Sequence, residues 1–566
     1  MDQKDTAGFL LPGGISGENS LILRTSTCWK NLPGMQRGSA RMDPGQGKKA
    51  VLNRSCRTNT SFLSFLCVYT IMKWALLSVW DKTGIVDLAQ ALIQHNFSIM
   101  SSGGTGTALA GAGIPFTEVS RYTGFPEMMD GRVKTLHPKV HGGLLGRRQI
   151  DDAIMAKYGI NRIGLLVVNL YPFERMSRES LPLEKLIEYI DVGGPAMIRA
   201  AAKNFKDVAV VVDPSDYPEV VKTLSSNVGF SHEQRLIFAK KAFARTAAYD
   251  AAISNHLSNL DNTFPPILTL QFTNGRMLRY GENPHQQAAV YGTTGIAGAE
   301  PLQGKQMSYN NYLDVNAGTA LLAEFEEPTA VIVKHNNPCG VSVGTDILEA
   351  YLSARDVDPV SAYGSVVSLN REVDKKLAEA IDSTFVEVVA APSFTRDAVE
   401  AMRKKENMRV LILPERNTSD EVRTIDGGVL VQRTPAYQEN WQVITDRDPT
   451  TDEMSALRIA WKVCKHTKSN TIIFADQKRT LGIGAGQMSR VDSAKIAIEK
   501  ACAPLAGSAV ASDAFLPFPD TLEVAAKAGA TALVQPGGSI RDDEVIKAAN
   551  RLNVAMVFTG VRYFRH

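Results

Sequence analysis

The sequence predicts an α/β protein of several domains built on largely parallel sheets, and three observations carry that expectation. Apolar, β-branched runs of strand length alternate with amphipathic helical stretches from Met72 onward. Glycine-rich turns join several strand ends to helix starts, as parallel β-α-β units require. At 566 residues the chain exceeds what one hydrophobic core supports, so roughly two to four domains are expected.

The first 71 residues stand outside this pattern. They hold nine Lys+Arg against four Asp+Glu, which leaves the remainder at 53 against 55, and they lack sustained periodicity before residue 61. The formal net charge of +3 is therefore local, and a nucleic-acid partner is not expected. In "SFLSFLCVYTIMKWALLSVW" (61–80) Lys73 interrupts the apolar run after about ten residues, short of the ~20 a spanning helix needs. No membrane anchor is expected. Residues 1–71 read as a disordered extension without a role, running into the first core strand, with Met72 a natural start for the folded part. Cys28, Cys56 and Cys67 fall in the extension, while Cys339, Cys464 and Cys502 are isolated. That usage fits a reducing, cytoplasmic compartment.

The elements follow in order. "KWALLSV" (73–79) is a strand, and "DKTGIVDLAQALIQHN" (81–96) a helix with Ile85, Leu88, Leu92 and Ile93 at helical spacing. "FSIMSS", "GLLVVNLY" and "DVAVVVD" are further strands, and a long helix from Glu233 to Leu260 precedes the linker-like "DNTFPP". A first domain is thus expected over 72–262 and a second region over 263–566. The latter again alternates strands ("AVIVKH", "GSVVSL", "RVLIL", "TIIFAD", "TALVQ") with helices. At roughly 300 residues it is expected to hold two subdomains. No short repeat is visible, and the strand order is not legible.

Four features of the first region suggest chemistry. "SIMSSGGTGTALAGAG" (98–113) is a strand, a glycine loop and a helix, so Ser102, Gly103, Gly104 and Thr105 are candidates to cradle a phosphate. In "MDGRVKTLHPKVHGG" (129–143) Arg132 and Lys134 share one face of an extended segment. "IDVGGPAMIRAAAKN" (190–204) starts a helix at Gly193-Gly194-Pro195 with Asp191 just before it, Pro195 suited to the first turn, and Arg199 and Lys203 one turn apart. "VVNLYPF" places Asn169 and Tyr171 at a strand end, where α/β sites are built. Two solvated basic faces would be the bland explanation of the charges.

In the second region Lys334 and His335 end a buried strand before Asn336-Asn337-Pro338-Cys339. A zinc site, a proton-transfer site and an ordinary basic strand end compete there. Zinc deaminases need a second Cys three residues after the first and a Glu two residues after the His. Ser342 and Asn337 occupy those positions, so a four-coordinate zinc site cannot be assembled from this loop alone.

The motifs "SVWDKTG", "SSGGTGTAL", "TGFPEMMDGRVKTLHP", "VVNLYPF" and "IDVGGPAMIRAAAKN" resemble, in order, those of the IMP cyclohydrolase domain. That domain is half of the bifunctional family of AICAR transformylase/IMP cyclohydrolase enzymes, where AICAR is 5-aminoimidazole-4-carboxamide ribonucleotide. "LRYGENPHQ", "YNNYLDVNAG", "DPVSAYGSVVSLNREVD", "KHTKSNTI", "GIGAGQMSR", "SDAFLPF" and "RYFRH" are similar to the transformylase motifs, so the resemblance covers 72–566 and is of the bacterial type. It implies a methylglyoxal-synthase-like three-layer domain followed by a duplicated cytidine-deaminase-like α/β domain.

The implied reactions are formyl transfer from 10-formyltetrahydrofolate to AICAR, giving formyl-AICAR, then dehydrative closure to IMP, with no metal. The resemblance assigns Lys134, Tyr171, Asp191 and Lys203 to ring closure. It assigns Ser78, Lys82, Arg132, Thr135 and the 102–105 loop to nucleotide contacts, beside Asn169. For formyl transfer it assigns proton transfer to His335, oxyanion stabilisation to Lys334 and orientation of the reacting groups to Asn470. Arg279, Tyr280, Asn311, Asp314 and Asn316 match AICAR-binding motifs. Phe515 and "GIGAGQ" match a folate pocket, and Arg562 and His566 bring the C-terminus toward the site. A homodimer is implied.

Adjacent residues of a regular strand point to opposite faces, so the chain is expected to leave β geometry at Lys334–His335. Trp80 stands where the family has a small residue. Two other functions compete: a nucleotide sensor that has lost catalysis, and a cyclohydrolase with a formyl donor other than folate. Lys134, Lys203, Lys334 and His335 are all present, which argues against the sensor.

Overall fold

The Ala75-Leu76-Leu77 core of the first strand has no accessible surface, as expected for a central parallel strand covered on both faces. The computed structural model describes residues 73–566 apart from Ser180, Asn227 and residues 262–263, 417–419 and 434–438. The expectations for residues 1–71, and the expected boundary at 262–263, lie outside the described residues. The first sheet comprises β1 (Lys73–Ser78), β2 (Phe97–Ser101), β3 (Thr117–Glu118), β4 (Ile163–Val168) and β5 (Ala209–Val211). Its order is β3-β2-β1-β4-β5 and every pairing is parallel. From β1 the chain moves outward through β2, whereas β4 leads the other way to β5. The crevice between the carboxyl ends of β1 and β4 is therefore a topological switch point, where open α/β sheets bind ligands.

The helix His232–Ser258 starts at a capping box of Ser231 and Gln234 and buries Phe238, Ala242 and Tyr249 against this sheet. Residues 264–275 form no helix or strand. A two-stranded pair, β6 (Arg276–Met277) and β7 (Ala289–Val290), follows.

The remaining strands make two sheets of matching design. The first holds β8 (Thr329–Lys334), β9 (Asn337–Val343), β10 (Ser365–Leu369), β11 (Val386–Ala391) and β12 (Arg409–Ile412), in the order β12-β11-β10-β8-β9. After a hairpin of β13 (Glu421–Ile425) and β14 (Gly428–Gln432) come β15 (Gln442–Val443), β16 (Ile472–Ala475), β17 (Thr480–Gly484), β18 (Ala509–Ser512), β19 (Ala532–Gln535) and β20 (Ala555–Phe558). Their order is β15-β20-β19-β18-β16-β17. In each sheet a hairpin (β8–β9, β16–β17) pairs antiparallel with a third strand, and the next two pairings are parallel. The unit is duplicated. Helices Tyr309–Leu322 and Thr451–Lys465, each opened by a capping box, precede the two hairpins and share one core between the sheets. The outer hairpin strands meet where Val343 N–H donates to the Lys478 carbonyl (2.8 Å) and Val341 N–H to Thr480 Oγ1 (3.1 Å). No helix among the described residues is long and apolar enough to cross a membrane.

Candidate active sites

The first site forms at the switch point. Ser78 and Val168 end paired strands, and Asn169 then ties the two exits together. Its Oδ1 accepts from Trp80 N–H (2.6 Å) and Asp81 N–H (2.9 Å), and its Nδ2 donates to the Asp81 carbonyl (3.0 Å). Asn169 is thereby committed to the backbone. Thr105, which is buried, is committed likewise: its hydroxyl accepts from Val79 N–H (2.9 Å) and donates to the Val79 carbonyl (3.0 Å). That pair docks the 102–105 loop on the end of β1 and leaves the glycines facing out. Gly103, at φ +55°, would bring an added Cβ to 3.2 Å from the Lys134 ammonium, and one on Gly104 would lie 3.8 Å from that of Lys82. Two cations therefore flank the loop, as a phosphate would need.

Lys82 donates to the carbonyls of Val79 and Trp80, and burial lowers its pKa. Lys134 pairs with Glu127 at 2.7 Å. Thr135 is buried beside it, 2.9 Å from where a Cβ on Gly193 would stand, so residues 134–135 bridge the loop and the start of the helix Gly193–Lys203. Asp191 lies just ahead of that helix. Its Oδ1 accepts from Gly194 N–H (2.7 Å), and its N–H donates to the Tyr249 hydroxyl (2.8 Å). Burial pushes the Asp191 carboxyl up, opposed by backbone hydrogen bonds from Gly194 and Tyr171.

Two predicted members do not join this cluster. Arg132 is exposed and paired with Glu188. Lys203 is exposed at the far end of its helix, ten residues and so about 15 Å along the axis beyond Gly193. The spacing of Arg199 and Lys203 is helical as expected, but Arg199 lies over the Phe243 ring (5.8 Å) of the long helix.

The second site is built on the β8–β9 hairpin. Lys334 is the last residue of β8, His335 (φ +53°) and Asn336 (φ +63°) form the turn, and Asn337 pairs back with Lys334. Consecutive positive φ angles are those of a two-residue I′-type turn. The chain thus leaves β geometry at His335, within the Lys334–His335 pair as expected. Asp314, on the helix Tyr309–Leu322, holds the turn: its Oδ1 accepts from Asn336 N–H (2.6 Å), the His335 backbone also bonds it, and burial raises its pKa.

Lys334 and His335 both line a cleft of about 420 Å³, walled opposite by Gly482, Ile483, Ala485 and Gln487 of "GIGAGQ". Lys334 Nζ donates to the Tyr363 carbonyl (2.7 Å), which uses one of its three protons. Asn337 Oδ1 accepts from Lys468 N–H (3.0 Å), tying the turn to the loop that carries Asn470. Asn470 donates from its N–H to the Gln487 carbonyl (3.0 Å) and from Nδ2 to that of Met488 (3.1 Å). Cys339 lines the same cleft, but burial pushes its thiol up to about 12, so it stays a neutral thiol.

The remaining candidates divide. Arg279 stacks on Tyr280 (4.8 Å), and their loop is tied to the start of the Tyr309–Leu322 helix where Asn310 Nδ2 donates to the Glu282 carbonyl (3.2 Å). Asn311 is buried; it completes the capping box with Ser308 and donates to Glu387 (3.3 Å), so its side chain is occupied by the fold. Asn316 is exposed and Phe515 half-exposed, and neither lines the cleft. At the C-terminus Arg562 lies over Phe564 (4.4 Å), and the His566 carbonyl accepts from Arg423 (2.7 Å). Arg565 makes the actual link to the Asn470 loop. Its carbonyl accepts from Ser469 N–H (2.8 Å), and its N–H donates to Ser469 Oγ (3.0 Å).

Residues 84–196 match the MGS-like domain family and residues 201–500 the AICARFT/IMPCHase bienzyme family. A solved structure, the crystal structure of ForH, is 38% identical, with a TM-score of 0.29 over 33% of this chain and 99% of that one. The bifunctional purine biosynthesis protein PurH of Magnetococcus marinus is 50% identical over 531 residues, which is 88% of this chain and 99% of that protein. The chain belongs to the AICARFT/IMPCHase bienzyme family.

Three side chains of this AICARFT/IMPCHase chain line the cleft without having been foreseen. Asp358 accepts from the Ser361 hydroxyl (2.6 Å), and Lys500 reaches Asp358 at 3.3 Å. Asp358 and Ser361 open the motif "DPVSAYG", where Asp-x-x-Ser ahead of a short helix was a legible cap. Lys500 carried no signal. Asp314 acts on the turn that presents His335, so replacing it by Ala should cost about 1–3 kcal/mol in denaturant unfolding. Asp314→Asn, which keeps an acceptor, should recover most of that cost. Equal stability of both variants with the parent would remove the turn-holding role.

Proposed function

We propose that this bienzyme catalyses the last two steps of IMP synthesis: formyl transfer from a folate donor, 10-formyltetrahydrofolate, to AICAR, then dehydrative closure of formyl-AICAR. Residues 263–566 carry the first step and 72–262 the second. The observation that supports this reading best is the pairing of Lys334 and His335 on one cleft between the two repeats.

The 5-amino group of AICAR is a weak nucleophile because its lone pair is delocalised into the ring. His335 accepts its proton as nitrogen attacks the formyl carbon, a task suited to an imidazole near neutral pH. The two free protons of the Lys334 ammonium face the oxyanion that forms. Collapse expels the folate nitrogen, which takes up the proton held by His335. Asn470 and the 482–487 segment hold the donor against the turn.

In the second site Lys82, Lys134 and the 102–105 backbone take the phosphate. The carboxamide nitrogen attacks the formyl carbon and gives up a proton to the oxygen, whose loss as water needs one further proton. The donor of that proton regains it from the formamido nitrogen as the ring C=N bond forms. Asp191, whose carboxyl burial keeps protonated to higher pH, is placed to supply it beside Tyr171. Lys203 would need to reach this site from the far end of its helix, so it stands apart from the proposed mechanism.

We take the enzyme to act in the cytoplasm as a homodimer. The side chains of Phe264, Ile267, Phe272 and Met277 are apolar and exposed, and a second copy would cover them. The test is a coupled assay of the purified chain: AICAR with 10-formyltetrahydrofolate should yield IMP, and so should formyl-AICAR alone. Accumulation of formyl-AICAR without IMP in the first, with formyl-AICAR left unclosed in the second, would confine the chain to formyl transfer.

A further inference from the structure

We propose that Trp80 is a positioning residue of the ring-closing site and supplies its apolar wall for the substrate base; this rests on the ring-closing reading. Trp80 follows β1 at the switch point and is held at both ends of its backbone. Its N–H donates to Asn169 Oδ1 (2.6 Å), and its carbonyl accepts from Lys82 Nζ (2.8 Å). The indole is held too. It stands edge-on to Tyr171 with centroids 5.0 Å apart and to Tyr189 at 6.3 Å.

The backbones of those two tyrosines adjoin Asp191. The Tyr171 backbone hydrogen-bonds its carboxylate, and the Tyr189 carbonyl accepts from the Tyr249 hydroxyl (2.7 Å) that itself accepts from Asp191 N–H. One residue therefore fixes two parts of the site. Its carbonyl holds Lys82 near the phosphate loop, and its ring packs on that of Tyr171.

Such fixation leaves 47% of a large apolar side chain exposed at the mouth of a strand-end crevice. A single exposed aromatic needs no explanation by itself. This one is pinned against two tyrosines whose backbones adjoin the candidate acid, and its open face is suited to a flat heteroaromatic ring. An imidazole carboxamide nucleotide, anchored by its phosphate at residues 102–105, would lay its base there. Indole contact would then limit the angles at which the carboxamide can approach the formyl carbon, which is where positioning contributes to rate.

The experiment uses the full chain, with formyl-AICAR closure followed in the parent, Trp80→Phe and Trp80→Ala, and IMP titrated by tryptophan emission. IMP should change the emission of the parent but not of Trp80→Phe, although the other four tryptophans remain. Trp80→Ala should lower kcat for closure on the order of tenfold and raise KM, with Trp80→Phe recovering most of kcat. AICAR formylation in the same preparations should be unchanged, which reports an intact fold. If Trp80→Ala loses formylation as well, the emission of Trp80→Phe decides. A parent that closes the ring while Trp80→Ala matches it in kcat and KM overturns the role of Trp80 alone. An IMP-induced change that persists in Trp80→Phe does the same. A parent that does not close formyl-AICAR overturns the ring-closing reading and this proposal together.

Discussion

Replacing His335 by Asn is expected to abolish AICAR formylation while formyl-AICAR is still closed to IMP at the parent rate. Asn is the better substitution because residue 335 sits at φ +53°, a conformation Asn tolerates and Ala does not. The turn should survive, since the bonds that hold it run from the backbone of residues 335 and 336 to Asp314. What is lost is the one imidazole that lines the cleft among the described residues. General-base contributions are typically about 10²–10⁴-fold, so residual formylation should fall by at least the lower figure. Closure is the internal control, because its candidate residues lie on the first sheet and share no side chain with the cleft. Formylation at full rate in His335→Asn would remove proton transfer from His335.

The contrast between the two sites shows which features a sequence exposes. The switch-point loops were legible because each is local: a strand, a glycine turn and a helix start lie within a few residues. Asp191 and the 102–105 loop fall where that pattern puts them. Lys203 illustrates the limit. Its residue type and its spacing from Arg199 were correctly read, but twelve positions from Asp191 include a full helix, and a motif carries no distance. Asn311, Asp314 and Asn316 share one motif and one helix, yet their sides differ. Asn311 is consumed by a cap, Asp314 holds the hairpin turn, and Asn316 faces outward. The departure from β geometry after Lys334 was foreseeable from adjacency alone. Its form as a tight hairpin was not, because that depends on β9 returning beside β8. The duplication was implied by the family resemblance alone and by no visible repeat, because the two units share strand order rather than residues. Asp358 and Lys500 approach each other across 142 positions, which no local pattern reports.

Asp191→Asn should separate catalysis from stability. Burial raises the Asp191 carboxyl above its ordinary value of 3.8, so the native state holds this proton more tightly than the unfolded chain. Between those two values unfolding releases a proton, and the contribution of Asp191 to stability declines as pH climbs through the window. Above it the penalty for the buried charge is complete. Asn does not titrate, and its carboxamide oxygen can still accept from Gly194 N–H. The stability of Asp191→Asn relative to the parent should therefore improve as pH rises from about 3.8 toward neutrality, whatever constant offset the lost second acceptor imposes. Urea unfolding of both proteins across that range measures the trend. In the same variant ring closure should drop by about 10²–10⁴-fold, and the alkaline fall of kcat that the parent owes to Asp191 should vanish. Formylation should be untouched. A stability difference independent of pH, joined to undiminished closure, would show that Asp191 is charged at every working pH and that the proton for the departing oxygen comes from another group.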